Sequence, residues 1–403
     1  MLGPWVPSAR YPVEAERLLH FARMFAGSHQ LTLGFATDVV DPSGTVSAMR
    51  AEFDDIEFAT LSRPLQRLRS AARLATGGSV DLTYFDSPAL RTRLRDRLRA
   101  KPFDLVYAAS AGMIQYALAL PAAVPLVIDF GELDSKWWAA RAHRSTGLRA
   151  ALYRREAARV RRFEKSAARR GAILLASSPG AAERISGFAP SVPVAVIPNG
   201  VDPDRHAGSH RAAKPVIVLT GGLEEANGLD AAVELCQVIF PAVRLEVSHA
   251  RLLIHASLLP RGARHLGRLP GVEIIANGGD FRTLLRHAAV AVTSGGDSNG
   301  GRHAVLEAMA AGVPVVVSRR GRGNLDGQAN REVYIEDEPE ALTQRLIRLL
   351  TNETLRAEAG RRGQAFVRTH HSWDTAAARL AQALENVLGI QSVTPPHAAG
   401  TSR

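Results

Sequence analysis

The chain of 403 residues predicts an α/β fold with two Rossmann-like domains, whose mainly parallel sheets face a central cleft. Short apolar runs rich in β-branched residues alternate with longer helical patterns, which is typical of repeated βα units. The length exceeds what one ordinary core holds, and a hydrophobic content of 46% is enough for two cores. A polar stretch rich in Gly, Pro and Asp, residues 198–215, has no periodic pattern and is therefore predicted to separate the domains.

The strands of each domain follow from the apolar runs. In the first half we predict strands at residues 31–36, 56–60, 105–108, 126–129, 173–176 and 194–197. In the second half we predict them at residues 216–220, 244–247, 272–275, 289–292, 313–317 and 333–335. The tail, residues 391–403, has two prolines and few apolar side chains, so we expect it to be disordered.

Cysteine usage and hydropathy exclude several classes of protein. The single cysteine, Cys236, excludes an internal disulfide and a cysteine metal cluster, and its helical setting predicts a buried apolar group. The histidines are scattered, and the adjacent pair His370 and His371 lacks metal-ligand spacing, so we predict no metal site. Prolines interrupt the N-terminus and no stretch of 18 apolar residues occurs, so we expect a cytoplasmic protein.

The positive charge is concentrated in the first half. Residues 1–200 hold 27 Lys and Arg against 18 Asp and Glu, a net charge of +9, whereas the whole chain carries +11. The excess is densest at residues 91–101 and 149–170. Helices of this kind can lie on anionic lipid, which predicts a peripheral contact between the first domain and a membrane. The alternative is a solvated face, while nucleic acid is disfavoured because the arginines are not interleaved with aromatic residues.

One segment, residues 299–318, carries the strongest functional signal. It reads as a glycine-rich loop followed by a short helix and a buried strand of valines. The backbone N–H groups of Gly300, Gly301 and Arg302 can face an anion, and the helix adds its positive N-terminal end. Glu307 lies about one turn further along, where a carboxylate suits a diol such as a ribose.

Two glycine loops are predicted to follow strands of the second domain. They are residues 220–222 and residues 294–301. In α/β proteins, nucleotides bind beyond the carboxyl ends of the strands, where glycines let phosphate approach backbone amides. The helix after the second loop is expected to end at Gly312.

Four motifs in this order resemble those of glycosyltransferase family 4, whose members have the two-domain GT-B fold and transfer sugars from nucleotide diphosphates. The motifs are Ile-Pro-Asn-Gly-Val-Asp at 197–202, Leu-Thr-Gly-Gly-Leu at 219–223, the segment 299–318 and His-Ser-Trp-Asp at 371–374. The first half is similar to a subgroup, the PEP-CTERM-associated sugar transferases, at residues 16–20, 129–135 and 152–156. The resemblance implies an acceptor-binding domain at 1–200, a nucleotide-sugar-binding domain at 201–372, and a helix at 373–390 that crosses back to the first domain.

The resemblance also implies the site residues. The diphosphate would lie along Gly221, Gly222, Gly300, Gly301 and Arg302, with Glu307 at the ribose, Asn299 at the transferred sugar, and Asn227, His303, Val305 and Leu306 as further donor-binding residues. The implied catalytic residues are Asp129, Asn299 and Glu307. For Glu307 the alternative is a solvated helix residue.

Some positions depart from the family pattern. Typical members hold the diphosphate with an arginine and a lysine at the positions of Gly222 and Asn227. A charge-assisted contact contributes about 1.5–3 kcal/mol, so losing both should weaken donor binding by orders of magnitude unless Arg302 or His303 supplies the charge. Asn299 replaces a glutamate, which keeps an acceptor oxygen but loses charge, and this indicates either a different donor sugar or impaired activity.

Asp129 ends the predicted strand 126–129, where family members usually carry a histidine close to the reacting carbon. One interpretation is that it accepts the proton of the acceptor hydroxyl or stabilises positive charge on the sugar. The alternative is structural, with Asp129 or Asp134 capping the helix that follows. Arg10 and Arg17 are within reach of an anionic acceptor, although a helical arginine is more often solvated.

The function implied is that of a retaining glycosyltransferase. It would move a sugar from a nucleotide diphosphate to a glycan or lipid-linked acceptor in exopolysaccharide or envelope glycan synthesis, without a metal or other cofactor. The partners would be the nucleotide sugar, the acceptor and the inner membrane face. Two alternatives stay open: a non-catalytic GT-B protein that senses sugars or acts as a scaffold, and an epimerase of the same two-domain shape.

Overall fold

The computed structural model describes residues 1–4, 13–38, 43–53, 55–143, 145–206, 214–220, 223, 228–256, 259–276, 281–293, 299–318 and 331–389. The chain divides into two compact units. One comprises Met1–Asn199 together with the described residues from Ala376 on, and the other is Gly200–Thr375. The tail predicted to be disordered, 391–403, lies outside the described residues.

The first unit is built on a parallel sheet with helices between the strands. Its strands are β1 (Leu2–Gly3), β2 (Thr32–Thr37), β3 (Asp55–Thr60), β4 (Val106–Ala109), β5 (Leu126–Gly131), β6 (Ile173–Ala176) and β7 (Val194–Val196). Its helices are α1 (Val13–Ala26), α2 (Ser43–Met49), α3 (Arg63–Ala75), α4 (Val80–Tyr84), α5 (Pro88–Ala100), α6 (Ala111–Ala117), α7 (Asp134–His143), α8 (Gly147–Ala168) and α9 (Pro179–Phe188). The strand order is β3-β2-β1-β4-β5-β6-β7.

The second unit repeats this plan with a six-stranded parallel sheet. Its strands are β8 (Val216–Thr220), β9 (Arg251–Ala256), β10 (Val272–Ala276), β11 (Val290–Thr293), β12 (Val315–Val317) and β13 (Tyr334–Ile335), in the order β10-β9-β8-β11-β12-β13. Its helices are α10 (Gly228–Glu234), α11 (Phe240–Glu246), α12 (Phe281–His287), α13 (Asn299–Ala310), α14 (Pro339–Thr351) and α15 (Glu353–His370). A π-helical turn, Leu235–Ile239, joins α10 to α11, and α16 (Trp373–Leu388) contains the boundary between the units.

Alternation along the strands explains why each sheet is covered on both faces. In β8, Ile217 and Leu219 belong to one buried cluster, whereas Val216 and Val218 belong to another. Successive side chains of a strand point to opposite faces, so a run of apolar residues needs a core on each side. Eleven of the twelve predicted strands are thereby confirmed as strands of parallel sheets.

The predicted strand 244–247 is wrong. Its residues close helix α11, in which Phe240 and Val243 point into the core while Leu245 is exposed. Pro241, which has no N–H to donate, comes just after the π-helical turn, where the helical hydrogen-bond pattern is already shifted. The strand of this region is β9, which pairs with β8 and β10.

Three further expectations concern the cysteine, membrane-spanning helices and metal ligands. Cys236 is buried as predicted, and burial raises the pKa of its thiol to about 12. Among the described residues, no helix is both long enough and apolar enough to cross a bilayer. Within the same ranges, no three His, Cys, Asp or Glu side chains are grouped so that they could hold a metal ion.

Candidate functional site

In the second unit, the strand order reverses between β8 and β11. Thr220 and Thr293 pair there as the last residues of these strands. Parallel sheets bind ligands beyond the carboxyl ends of the strands at such a reversal, because the flanking connections leave in opposite directions. The hydroxyl of Thr220 is buried and has no hydrogen-bond partner among the described residues. The predicted donor-binding loops therefore start at the reversal, although Gly221, Gly222 and Asn227 lie outside the described residues.

Helix α13 begins close to this edge, after β11. Asn299, Gly300 and Gly301, which we predicted as part of a loop, form its first turn instead. Glycines disfavour helix interiors, but here the packing of the following turns sets the helix start. The first four N–H groups of a helix have no partner within it, so this backbone can still bind an anion.

Glu307 lies on α13 two turns beyond the first residue of the helix. Its carboxylate is 3.8 Å from Nε2 of His303 and 3.9 Å from Nε of Arg282 on α12, and its side chain is 18% exposed. The distances are those of loose ionic contacts rather than of hydrogen bonds. A partly buried carboxylate held by two nitrogen groups can accept hydrogen bonds from a ligand without a large rearrangement.

The residues of α13 next to Glu307 fall into a buried group and a partly exposed group. Val305 and Leu306 are buried in the core of the unit, so their side chains anchor the helix. Arg302 and His303 are partly exposed, on the part of the helix that precedes Glu307. Arg282 is an addition that the sequence does not signal, because nothing in its local pattern connects it with Glu307, 25 residues later in the chain.

The far end of α13 is fixed by a tight contact with α15. Gly312 has a φ of +75°, and the N–H of Val313 donates to the carbonyl of Ala308 at 3.0 Å, which ends the helix as predicted. A Cβ placed on Gly360 of α15 would lie 2.0 Å from the carbonyl oxygen of Gly312. Gln364 adds a hydrogen bond of 3.0 Å to the carbonyl of Ala310. The position of α13 thus depends on a glycine in a different helix.

In the first unit, Asp129 lies at the carboxyl end of β5 and is 2% exposed. Its Oδ2 accepts from Nε of Arg17 at 2.6 Å and from the hydroxyl of Tyr107, and its Oδ1 accepts from the N–H of Gly131 at 2.9 Å. Burial and the neighbouring Asp129 raise the pKa of Tyr107 well above its ordinary value, so the hydroxyl stays protonated and donates. The described contacts engage both oxygens of Asp129.

Arg17 completes this buried cluster. Its Nη1 donates to the carbonyl of Ile197 at 2.7 Å and to Oδ1 of Asn199 at 3.0 Å. Burial opposes its charge, but the carboxylate of Asp129 more than offsets that effect and raises the pKa of the guanidinium. Arg17 is therefore not a solvated helix residue, and it connects α1 to β5 and to the end of the unit. Arg10 lies outside the described residues.

The start of α7 is capped by neither Asp129 nor Asp134, the two residues predicted as alternatives. The N–H and hydroxyl of Ser135 both donate to Glu164 of α8, at 3.0 and 2.5 Å. Asp134 accepts instead from the N–H of Ala111, the first residue of α6, at 2.7 Å. Asp129 caps no helix, because its two oxygens bind the groups described above.

Ser110 is a feature of this edge that the sequence does not signal. It follows β4 with φ +65° and ψ 152°, and is the only non-glycine residue of positive φ in the described ranges. That conformation is strained for any residue with a Cβ, and strain of this kind concentrates at functional sites. The hydroxyls of Ser110 and of Ser177, which follows β6, are buried without a hydrogen-bond partner among the described residues.

A second buried polar cluster lies away from this edge, between α4 and α8. Oε1 of Glu156 accepts from the hydroxyl of Ser79 at 2.5 Å and from the N–H of Asp81 at 3.0 Å, while Oε2 is buried and has no partner among the described groups. Burial, together with the charges of Glu156 and Glu164, raises the pKa of Asp81 to about 7. Near neutral pH the carboxyl group of Asp81 is therefore protonated in a large fraction of the molecules.

Comparison with known families identifies the chain. A family model described as Glycosyltransferase Family 4 matches residues 47–205, and one described as Glycosyl transferases group 1 matches residues 214–352. A search by sequence among characterised proteins found no match.

Solved structures show the same architecture. The chain is similar to sucrose-phosphate synthase from Thermosynechococcus elongatus, at 14% identity over 93% of this chain and 94% of that one, with a TM-score of 0.62. It is similar to HepE from Anabaena in complex with UDP and glucose, at 15% identity, 96% and 98% coverage and a TM-score of 0.60. It is also similar to WaaG, a glycosyltransferase involved in lipopolysaccharide biosynthesis, at 16% identity, 96% and 99% coverage and a TM-score of 0.61. These similarities show the α/β GT-B fold.

Proposed function

Because the chain belongs to glycosyltransferase family 4 and is therefore a glycosyltransferase, we propose that it is a retaining enzyme that transfers a hexose from a nucleotide diphosphate to a glycan or lipid-linked acceptor. The second unit binds the donor and the first binds the acceptor. The reaction serves exopolysaccharide or envelope glycan synthesis in the cytoplasm, at the inner face of the membrane, and needs no metal.

The observation that carries the donor assignment is the setting of Glu307. Its carboxylate is partly exposed, lies between Arg282 and His303, and is on the helix whose first turn follows the strand reversal. We assign it to the ribose hydroxyls. The amides of Gly300 and Gly301 bind the diphosphate, and Asn299 contacts the transferred sugar. Support for a uridine nucleotide comes from HepE, whose structures contain UDP and UDP-glucose.

The diphosphate still needs positive charge, since the usual arginine and lysine are replaced by Gly222 and Asn227. Arg302 and His303, on the first turns of α13, are the proposed substitutes. Arg282 adds a third cationic group next to Glu307. A guanidinium retains its charge at any accessible pH and binds phosphate oxygens through two N–H groups, so Arg302 and Arg282 contribute more than the histidine.

The chemistry assigned to this site is electrostatic. The bond between the anomeric carbon and the phosphate oxygen breaks, the acceptor oxygen bonds to that carbon from the same face, and the acceptor proton passes to the departing diphosphate. Amides and guanidinium groups aimed at the diphosphate stabilise the charge that develops on it. Asn299 lies on the sugar side and contributes hydrogen bonds without adding charge.

On the acceptor side, we assign Asp129 a positioning role rather than that of a base. It is buried, and its oxygens already accept from Arg17, Tyr107 and Gly131. The ion pair fixes the end of β5, where the strained Ser110 and the buried hydroxyl of Ser177 lie on the neighbouring strand ends. These two hydroxyls are the proposed contacts of the acceptor.

Titration calorimetry with UDP and with GDP tests the donor site. We expect one nucleotide to bind, and Glu307→Gln to weaken it about tenfold or more, since a hydrogen bond to a charged group contributes about 1.5–3 kcal/mol. Glu358→Gln is the matched control, because Glu358 is an exposed helical glutamate with its own arginine partner. Equal effects of the two substitutions would contradict the assignment of Glu307.

The alternatives are separate outcomes of the same experiments. No heat with either nucleotide at millimolar concentration would favour a non-catalytic scaffold. A change of sugar configuration in UDP-N-acetylglucosamine without any acceptor would favour an epimerase. Transfer to an added acceptor with retained anomeric configuration, followed by nuclear magnetic resonance, is the result that the proposal requires.

A further inference from the structure

Helix α3 exposes apolar residues to solvent and buries polar ones, the reverse of an ordinary surface helix. Its apolar residues Leu65 and Leu68 are 54% and 68% exposed, while Gln66 and Ser70 are buried. At about 100° per residue, Leu65, Leu68 and Ala72 lie within about 60° of each other on the helix surface. Ala72 is exposed as well. The result is an apolar stripe that faces outwards.

Hydrogen bonds fix this orientation. Nε2 of Gln66 donates to the carbonyl of Asp86 at 3.3 Å, and the hydroxyl of Ser70 donates to the carbonyl of Val80 at 3.1 Å. Rotation of the helix to bury the leucines would leave these buried polar groups without partners, which costs about 1–3 kcal/mol each. The apolar stripe is therefore a stable feature of the folded unit.

Arginines border the stripe on both sides. The helix contains Arg63, Arg67, Arg69 and Arg73 and no acidic residue. Arg63 pairs with Asp38 and Arg69 pairs with Asp86. Arg67 and Arg73 are exposed and form no ion pair within the part of the chain that the structure describes. Around the helix axis, Arg67 lies about 100° from Leu68 and Arg73 lies about 80° from Leu65, so the two arginines are on opposite flanks of the stripe.

The two basic segments predicted to touch lipid lack such a stripe. In α5, Leu90 and Leu94 are buried, while Arg91 and Arg97 pair with acidic residues of their own unit. In α8, the residues of the helical stripe turn inwards and include the buried Val160. The outer face of α5 has no exposed large apolar side chain, and that of α8 has a single one, Leu148 in its first turn. Neither helix therefore forms an apolar stripe, and both have weak affinity for a bilayer interior.

We propose that the α3 face, formed by Leu65, Leu68 and Ala72 with Arg67 and Arg73, docks on the surface of an anionic lipid bilayer. The leucines enter the boundary between head groups and acyl chains, and the arginines bind lipid phosphates, which is the arrangement of an interfacial amphipathic helix. Charge complementarity selects this partner, because the helix carries four arginines and no acid within a half-chain of net charge +9. The surface contains none of the residues assigned to the donor.

Vesicle co-sedimentation of the full chain tests this surface directly. With vesicles of phosphatidylglycerol and phosphatidylcholine we expect binding that pure phosphatidylcholine does not support. Leu65→Ser with Leu68→Ser should weaken it on the order of tenfold or more, because both leucines lose their apolar burial. Arg67→Gln with Arg73→Gln should weaken it about fivefold per residue.

The matched control is Val238→Ser with Leu245→Ser, which removes two apolar side chains of the second unit that are at least as exposed as Leu65 and Leu68, and it should leave vesicle binding unchanged. Thermal unfolding of each variant checks the fold, and a UDP titration of the leucine variant separates a failure of docking from a failure of the donor site. The proposal is overturned if the wild-type chain does not bind the mixed vesicles, or if the leucine variant binds them as the wild type does. It is also overturned if sedimentation velocity shows a dimer that the leucine variant dissociates, because a second copy would then cover the stripe.

Discussion

Replacement of Gly360 by alanine should move the helix that carries Glu307. The added Cβ would lie 2.0 Å from the carbonyl oxygen of Gly312, about 1 Å closer than such contacts normally allow. The clashing atom is backbone, so no side-chain rotation relieves it. Either α15 moves away or the loop at Gly312 that ends α13 shifts. Glu307 lies about one helical turn before that loop, so a shift of the loop displaces its carboxylate.

The size of the effect follows from two opposing contributions. Alanine favours a helix by about 1 kcal/mol over glycine. An overpacked core contact costs about 1–3 kcal/mol, and this one is at the upper end because it meets an oxygen that cannot rotate away. Gly363, on the same helix and also buried, provides the control, since a Cβ there would meet Met309 at an ordinary 3.5 Å.

We therefore expect Gly363→Ala to be neutral or stabilising and Gly360→Ala to be about 3 kcal/mol less stable than it. For a unit of this size that corresponds to a difference in Tm of about 6–12 °C by scanning calorimetry. UDP affinity should fall about tenfold in Gly360→Ala alone, and the transfer rate about a hundredfold, because a displacement of about 1 Å disturbs the site. Equal Tm values for the two variants, or an unchanged UDP affinity in Gly360→Ala, would refute the argument.

Substitutions at three positions test the first unit. Asp129→Asn leaves Arg17 buried without its counter-charge, so we expect the free energy of unfolding, measured in urea, to fall by about 3–5 kcal/mol. A variant that keeps full stability but has no turnover would instead indicate that Asp129 is a catalytic base. Ser110→Gly removes backbone strain of about 1–3 kcal/mol and should stabilise the unit by about 1 kcal/mol, after the entropy cost of glycine is subtracted. Ser110→Ala keeps a Cβ and should not stabilise the unit. Equal urea unfolding midpoints for the two variants would show that Ser110 is unstrained. Because the pKa of Asp81 is raised to about 7, its contribution to stability is present at low pH and is lost as the pH rises from about 4 through 7, by about 1.4 kcal/mol per unit at most. Glu156→Gln removes a charge that raises the pKa of Asp81 and should reduce the fall in Tm between pH 5 and pH 8 relative to the wild type. A parallel fall in both proteins would show that the charge of Glu156 does not contribute to that pKa.

Most of the fold was predictable because buried parallel strands have apolar runs that few other elements share. β8, β11 and β12 are buried along their whole length, and each was predicted from its valines and leucines. The failure at residues 244–247 has a local cause. The alternation of Arg244, Leu245, Glu246 and Val247 is also compatible with a helix end, and only packing of Phe240 and Val243 decides between them.

The candidate site was predictable only where its residues are neighbours in the chain. Glu307 and the start of α13 lie in one continuous segment, so the pattern indicated them together. Arg17 and Asp129 are 112 residues apart, and their ion pair depends on how α1 packs beside β5. The conformation of Ser110 likewise depends on the connection between β4 and α6, which no residue type at that position announces.

The division of the chain has a consequence for its biogenesis. The first unit includes the chain from Ala376, where Leu380 and Leu384 are fully enclosed, whereas the second unit is one uninterrupted stretch. A ribosome releases residues in order, and a domain completes its core only when its last segment has emerged. The half that is made first is therefore finished last, and nascent chains stalled before residue 376 should carry an N-terminal half that proteases cut more readily than the completed protein.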